Sequence, residues 1–112
     1  MQELASFLEG RWIEGAGEGR VVCDARTGDA VARVRSEGLD VASAMAWTRR
    51  VGGAALRAAT FEERGEWLIA LGKCTHKHRD ELLGLSTPGG ATRSDGKFDV
   101  DGASGTLIYY GR

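Results

Sequence analysis

One stretch decides the helical half of the chain, residues 60–71 with the sequence TFEERGEWLIAL. Thr60 is followed three positions later by Glu63, which is the capping-box pattern: the hydroxyl accepts from the amide of residue 63, and the carboxylate accepts from the amide of residue 60. Beyond the cap, apolar or small residues recur at three- and four-residue spacing: Phe61, Gly65, Leu68, and Leu71 or Gly72. This spacing predicts a helix with one apolar face that runs to about Cys74.

Two shorter helices are predicted on either side of this one. Asp40 is an N-cap residue for the first, and the pair Gly52 and Gly53 marks its weak end. We expect five side chains to form its buried side: Val41, Ala42, Ala44, Met45 and Trp47. After His78, a second helix is predicted over residues 79–85, and it stops before Pro88.

A last helix is predicted from Thr92 to Tyr110, with Asp95 in its first turn. Three glycines weaken it, at about 1 kcal/mol each relative to alanine: Gly96, Gly102 and Gly105. A helix with so many glycines is expected to make close backbone contact with another element.

The first part of the chain has the pattern of strands and turns. Apolar, aromatic and charged residues mix over residues 6–13, 20–24 and 30–35, and turn residues occupy 15–19 and 26–29. A three-stranded antiparallel meander is the simplest arrangement of these segments. We therefore predict an α/β fold, with a β-meander over residues 1–36 and about four helices over residues 40–112.

The composition excludes several classes of partner. Among the 112 residues, 15 basic and 16 acidic residues are interspersed and give a net charge of −1, so a nucleic-acid partner is not expected. No apolar run approaches the roughly 18 residues of a membrane span, and residues 1–6 do not resemble a signal peptide. These features indicate a cytoplasmic protein, in which the two cysteines would remain reduced.

The apolar run LIYY at residues 107–110 comes just before the last two residues. Such a run needs a partner surface to bury it. We take it as an indication that the sequence is the front of something longer.

Two glycine-rich segments are candidate ligand loops. The first is Gly15-x-Gly17-x-Gly19, which a strand follows rather than the helix that a dinucleotide fingerprint requires, so a plain hairpin turn is favoured. The second, residues 89–95, feeds a helix N-terminus and could hold an anion with Arg93. A loop and helix cap is the favoured alternative there.

The cysteines and histidines offer two more candidates. Cys74, His76 and His78 are spaced for a metal site on one helix face, but a fourth ligand is missing. A solvated helix end with basic groups near its C-terminal dipole is favoured instead. Cys23 has no histidine near it in the sequence, and we expect it to be a small buried hydrophobic residue rather than a nucleophile.

Taken in order, these segments resemble the N-terminal segment of the aldehyde dehydrogenase superfamily. The similar motifs are FLEGRW at residues 7–12, the TGD turn at residues 27–29, Glu63 and Arg64 in the capped helix, and the glycine loop that opens the last helix. The resemblance covers essentially the whole chain. It implies an oxidoreductase that uses NADP or NAD as its cofactor.

More specifically, the chain resembles the bifunctional ring-opening enzymes of phenylacetate degradation, which join an NADP-linked aldehyde dehydrogenase to an oxepin-CoA hydrolase domain. The similar stretches are LASFL at residues 4–8, SEGLD at 36–40, ALRA at 55–58, GATR at 90–93 and GTL at 105–107. This resemblance implies a small-molecule aldehyde substrate, a CoA-linked semialdehyde of aromatic (phenylacetate) catabolism, and a homo-oligomer when the enzyme is complete.

The resemblance also limits what these residues do. The family's catalytic cysteine, general-base glutamate and Rossmann strands lie downstream of the segment that matches. We therefore assign no catalytic, cofactor-binding or metal-ligating residue, and we expect the 112 residues alone to be inactive.

In the family, the helix that matches the last predicted helix runs beside the substrate tunnel. The resemblance therefore implies a tunnel wall formed by Phe98, Gly102, Gly105, Thr106 and Tyr109. These positions share one helix face. The alternative is a non-catalytic interaction module or remnant that pairs with another chain through residues 107–110 and exposed strands.

Overall fold

The structure, a computed structural model, describes residues 1–112. It contains five short strands, five α-helices and one π-helical turn: β1 Gln2–Leu4, β2 Ser6–Leu8, β3 Arg11–Ile13, β4 Arg20–Cys23, β5 Ala30–Val34, α1 Val41–Trp47, the π turn Thr48–Gly52, α2 Gly53–Ala58, α3 Phe61–Lys77, α4 Arg79–Ser86 and α5 Arg93–Tyr110. The chain forms two compact units, Met1–Arg57 and Ala58–Arg112. The mixed α/β class is confirmed, and the helices form four continuous stretches as predicted.

The first unit holds two small sheets rather than an antiparallel meander, so this part of the prediction is wrong. One sheet has the order β1, β5, β4, in which β1 is parallel to β5 and β4 is antiparallel to it. The other is the hairpin of β2 and β3. Glu9 and Gly10 both have positive φ, 53° and 80°, which suits a tight hairpin turn. The segment predicted as one strand therefore folds back on itself.

The turn between β4 and β5 is organised by the buried side chain of Asp24. Its Oδ1 accepts from the backbone N–H of Arg26 at 2.8 Å, and its Oδ2 lies 2.8 Å from Nη2 of the same arginine. The backbone of Asp24 bonds to Asp29 and Gly28, each at 2.8 Å. The hydrogen bonds from Arg26 lower the pKa of Asp24 from its ordinary value of 3.8 to about 2. The turn predicted at residues 26–29 is confirmed.

The predicted burial and end of the first helix are largely wrong. Asp40 is the N-cap and accepts from the amide of Ser43 at 2.8 Å, but only Ala44 is buried, while Val41 and Met45 are exposed. The helical run continues through both glycines into α2, because the backbone of Gly53 keeps right-handed helical angles. It ends next to Thr60, where the following helix is capped.

The capping box at the start of α3 is confirmed. The Thr60 hydroxyl accepts from the amide of Glu63 at 3.1 Å, and the Glu63 carboxylate accepts from the amide of Thr60 at 2.7 Å. Phe61 does not join the buried face, since it is 89% exposed and has the Arg64 guanidinium 5.3 Å above its ring. The reason is its place at the very start of the helix, one turn before the first glycine that touches α5.

The second unit is held together by the antiparallel packing of α3 and α5. Gly65 lies against Gly111, because a Cβ on Gly65 would be 2.6 Å from the carbonyl oxygen of Gly111. A Cβ on Gly72 would be 2.9 Å from the Ser104 carbonyl oxygen and 2.7 Å from a side-chain carbon of Ile108. Both glycines are buried, so the two helix backbones approach where a side chain would keep them apart.

Replacing Gly72 with alanine should destabilise the protein by about 1–3 kcal/mol, because the added methyl group overlaps a backbone carbonyl of α5. Gly84→Ala is the matched control, since a Cβ on this helical glycine would meet nothing within 4 Å. The control should be neutral or up to about 1 kcal/mol more stable. Urea unfolding followed by circular dichroism measures both, and a Gly72→Ala protein as stable as the control would contradict the packing.

The Asp24 turn should make stability dependent on acid pH. Because folding lowers the pKa of Asp24, its contribution is fully present above its ordinary value of 3.8 and is lost as pH falls through about 2. The free energy of unfolding should therefore decline more steeply over this interval in the natural chain than in Asp24→Asn, which cannot ionise. Parallel pH profiles for the two proteins would show that the Asp24 interaction adds no stability.

Candidate functional site

The outer face of α5 carries the residues predicted as a tunnel wall. Thr92 caps the helix as predicted and accepts from the amide of Asp95 at 3.1 Å. The five positions share one face of the helix, and all are exposed: Phe98, Gly102, Gly105, Thr106 and Tyr109. Gly96 and Ser104 are the buried positions, and they lie toward the opposite side of the helix. The structure thus brings the five residues together on a surface that nothing in the second unit covers.

This outer face is a shallow strip between two aromatic side chains. Phe98 and Tyr109 stand 81% and 72% exposed at its ends, about 16 Å apart along the helix axis. Between them, a Cβ on Gly102 or Gly105 would meet nothing within 4 Å. The expected close backbone contact of this helix is made to α3, at Gly111 and Ser104; Gly96 packs against the Ser86 side chain, where a Cβ would be 3.0 Å away, and Gly102 and Gly105 make no close contact.

A groove of about 530 Å³ runs along the flank of the same helix. It is lined by residues of α3, α4 and α5: His76, Arg79, Asp101, Ser104, Gly105 and Ile108. Gly105 belongs both to the groove and to the outer face of α5. Because it has no side chain, the two surfaces are continuous at that point.

One charge pair forms the rim of the groove. Arg79 Nε lies 2.6 Å from Asp101 Oδ1, and Arg79 Nη2 lies 2.8 Å from Asp101 Oδ2, so the contact is bidentate. This hydrogen bonding lowers the pKa of Asp101, and the positive charges of His76 and Lys97 act in the same direction. The sequence offered no signal for this pair, because its members are 22 residues apart and on different helices.

The first glycine-rich loop has neither predicted role. Strand β4 follows it, and β3 and β4 lie in different sheets, so the loop is not a hairpin turn. Its backbone lies against the segment after β5: Ala16 N–H donates to the Glu37 carbonyl at 2.8 Å, and Arg35 Nε donates to the Gly17 carbonyl at 2.8 Å. The glycines of the loop thus face residues 34–37, and a strand rather than a helix opens on the loop, so the loop lacks the helix N-terminus of a dinucleotide site.

The cysteine and histidine candidates gain no support as metal ligands. The structure holds no group of three or more metal-capable side chains. His78 is the C-cap of α3, with its Nδ1 3.1 Å from Glu81 Oε2, which agrees with the solvated helix end favoured from the sequence. Cys23 is exposed at an irregularity of β4, so the prediction that it is buried is wrong.

Residues 89–95 form a loop and helix cap, as favoured. Thr92 and Asp95 bond to each other at the start of α5, where the Thr92 hydroxyl donates to Asp95 Oδ2 at 2.6 Å. The carboxylate of Asp95 thus occupies the end of the helix that an anion would approach.

The sequence of the chain is similar to that of a known dehydrogenase. The chain is 47% identical over 111 residues to a 3,4-dehydroadipyl-CoA semialdehyde dehydrogenase of Aromatoleum evansii. The resemblance to aldehyde dehydrogenases is confirmed. The match takes in 98% of this chain but only 22% of that dehydrogenase. No protein-family model matches the chain.

The aligned residues include both compact units, because the match covers 98% of the chain. The chain spans about a fifth of the relative's length.

None of the helices has the length and apolar character needed to cross a membrane.

Proposed function

We propose that these residues form the N-terminal segment of an NAD(P)-dependent aldehyde dehydrogenase that oxidises a CoA-linked semialdehyde. The observation that carries the proposal is the 47% identity over 98% of the chain to a 3,4-dehydroadipyl-CoA semialdehyde dehydrogenase. We further propose a cytoplasmic enzyme of aromatic (phenylacetate) catabolism that forms a homo-oligomer when complete.

The accessible surface of the chain supports a role as part of a larger protein. The surface is 8442 Å². Two separately folded units of half this mass would together expose about 7,200 Å². The excess is about 1,200 Å², more than the roughly 800 Å² that one partner buries in a standard interface. In the proposal, the rest of the enzyme covers this surface.

The exposed apolar side chains lie in both units. Val21 and Val22 are neighbours on β4 and point to opposite sides of the sheet, and each is about two-fifths exposed, at 42% and 41%. In the second unit, the aromatic residues of α5 are exposed. Exposed valines on a sheet and aromatic side chains on the outer side of a helix are typical of elements that other layers cover.

Catalysis is assigned to the part of the enzyme that lies beyond this segment. By resemblance, a cysteine thiolate there would attack the aldehyde, and a nicotinamide cofactor held there would supply hydride acceptance. By the same resemblance, the cofactor, NAD or NADP, is assigned to that downstream part. The 112 residues alone should not turn over aldehyde, and cofactor reduction by the purified chain would contradict this.

The segment's own contribution is to shape the path of the substrate. We propose that the outer face of α5 lines the substrate tunnel through Phe98, Gly102, Gly105, Thr106 and Tyr109. The two glycines leave open space where side chains would narrow the path. Open space at these positions suits a substrate that remains attached to the long CoA arm, whereas a short aldehyde does not need it.

Gly102→Leu in the complete enzyme tests this role. The added side chain should lower kcat/KM for a CoA-linked semialdehyde at least about tenfold, while a short aliphatic aldehyde loses much less, because steric exclusion acts only on the bulky substrate. Ala103→Leu is the matched control, since it adds bulk to the same helix at an exposed position on another side. Equal losses for both substrates would remove Gly102 from the tunnel.

A further inference from the structure

Strand β4 has one open edge, because it pairs with β5 and with no other strand. All four of its residues are exposed. The β4–β5 ladder has one irregularity, in which the extra residue, Val31, belongs to β5, so β4 itself runs without a bulge. The strand also contains neither proline nor lysine, two residues that commonly protect an edge from pairing. Another strand can therefore pair with β4 along this edge.

A cleft of about 980 Å³, the edge cleft, follows β4. It is lined by the six consecutive residues 18–23, together with Val34, Ser36 and Glu37. Because successive side chains of a strand point to opposite sides of a sheet, a cavity on one side of β4 would be lined by alternate residues. The consecutive lining indicates that the cleft runs along the edge of the strand, where backbone N–H and C=O groups face outward. An extended chain has the shape that fits such a cleft.

The sequence at this edge is complementary to itself when two copies run antiparallel. Glu18 and Arg20 come before Val22, and Asp24 and Arg26 follow it at the same distances in the sequence. When Val22 lies opposite Val22 of another copy, opposite charges meet on one side of the sheet: Glu18 faces Arg26, and Arg20 faces Asp24. Opposite charges across a strand pair stabilise it, and like charges destabilise it.

The other nearby registers lose this match of charges. A shift of the centre by one residue brings like charges together: Glu18 faces Asp24 in one direction, and Arg20 faces Arg26 in the other. A shift of the centre by half a residue leaves each of these four side chains opposite an uncharged residue. Charge therefore favours the register that is centred on Val22.

The folded chain leaves the outer charges of this register available. Glu18 and Arg20 are exposed and take part in no ion pair. The side chain of Arg26 is 55% exposed, and its contacts with Asp24 use only Nε and Nη2. A guanidinium group has further N–H donors, which Glu18 of another copy can accept. Asp24 is buried and already neutralised by Arg26, so the two symmetric pairs of Glu18 with Arg26 carry the charge match.

We propose that β4 pairs antiparallel with β4 of a second copy of this chain, about a two-fold axis at Val22. The pairing joins two three-stranded sheets into one sheet of six strands, a common size. On the other side of the sheet, Val21 of each copy lies opposite Cys23 of the other. The contact uses the edge of the sheet and leaves its two faces for the rest of a longer chain. It concerns association alone and does not depend on dehydrogenase activity.

Disulfide cross-linking tests the register. In a chain with Cys23→Ser and Cys74→Ser, the further change Val22→Cys should give a covalent dimer under mild oxidation. Residues directly opposite each other have Cα atoms about 4.5–5.5 Å apart, which is within the range of a disulfide. Val21→Cys in the same background is the matched control and should stay largely monomeric, because the two copies of this residue lie diagonally, about 7–8 Å apart. Non-reducing electrophoresis measures both. Equal cross-linking of the two variants, or none at Val22→Cys, would overturn the inference.

Sedimentation velocity of the 112-residue chain tests the association itself. A species of twice 12.0 kDa is expected at a chain concentration of about 100 µM. Glu18→Lys should weaken the dimer at least about fivefold, because it places like charges together in both symmetric pairs. Glu66→Lys, the same change of charge at an exposed position of the other unit, is the control and should leave the dimer within about twofold. Circular dichroism verifies that each variant is folded.

Two sedimentation results would contradict the pairing of β4. One is a monomer at every concentration up to about 1 mM, which would leave the edge to a different strand. The other is equal weakening by Glu18→Lys and Glu66→Lys, which would place the contact elsewhere on the chain. Either result would leave the proposed function standing, since Gly102→Leu in the complete enzyme tests that function separately.

Discussion

The close approach of α3 and α5 through glycine is the constraint on which the second unit depends. At Gly65 and Gly72, the backbone of one helix meets the other at distances that a β-carbon would not allow. This contact sets the rotation of α5 about its axis. Because the buried side is fixed by Gly96, Ser104 and the contacts to α3, the opposite side with Phe98 and Tyr109 must face outward.

The same packing also creates the groove. The antiparallel arrangement brings the basic end of α3 beside the middle of α5, where Asp101 bonds to Arg79 from the start of α4. Gly105 lines the groove and has no side chain, so the groove is continuous there with the outer face of α5. One physical feature, the lack of side chains at selected helix positions, therefore serves two purposes: it allows close packing on one side of α5 and leaves an open path on the other.

Local features of the fold could be predicted from the sequence, whereas long-range ones could not. The caps at Asp40, Thr60 and Thr92 depend on residues within three positions and were predicted correctly. The parallel pairing of β1 with β5 joins residues 30 apart in the chain, such as Gln2 and Ala32, and a three-residue strand has too little pattern to indicate it. The meander was wrong for this reason.

Burial was the least predictable property, because it depends on what covers an element. Phe61 and Met45 lie on predicted apolar faces and yet are exposed. The outer face of α5 could be grouped from helix periodicity together with the family resemblance. The groove could not, since Arg79 and Asp101 meet only through the packing of two helices, although the basic run at residues 73–79 was visible in the sequence.

The intact mass of the native polypeptide in its source cells tests the central claim most directly. The matched share of the relative is 22%, and 100/22 is about 4.5, so the proposal predicts a mass about 4.5 times the 12.0 kDa of these residues. Mass spectrometry of peptides downstream of Arg112 would then locate the catalytic cysteine. A native mass of 12.0 kDa would contradict the proposal and would favour a non-catalytic protein that pairs with another chain through its exposed surfaces.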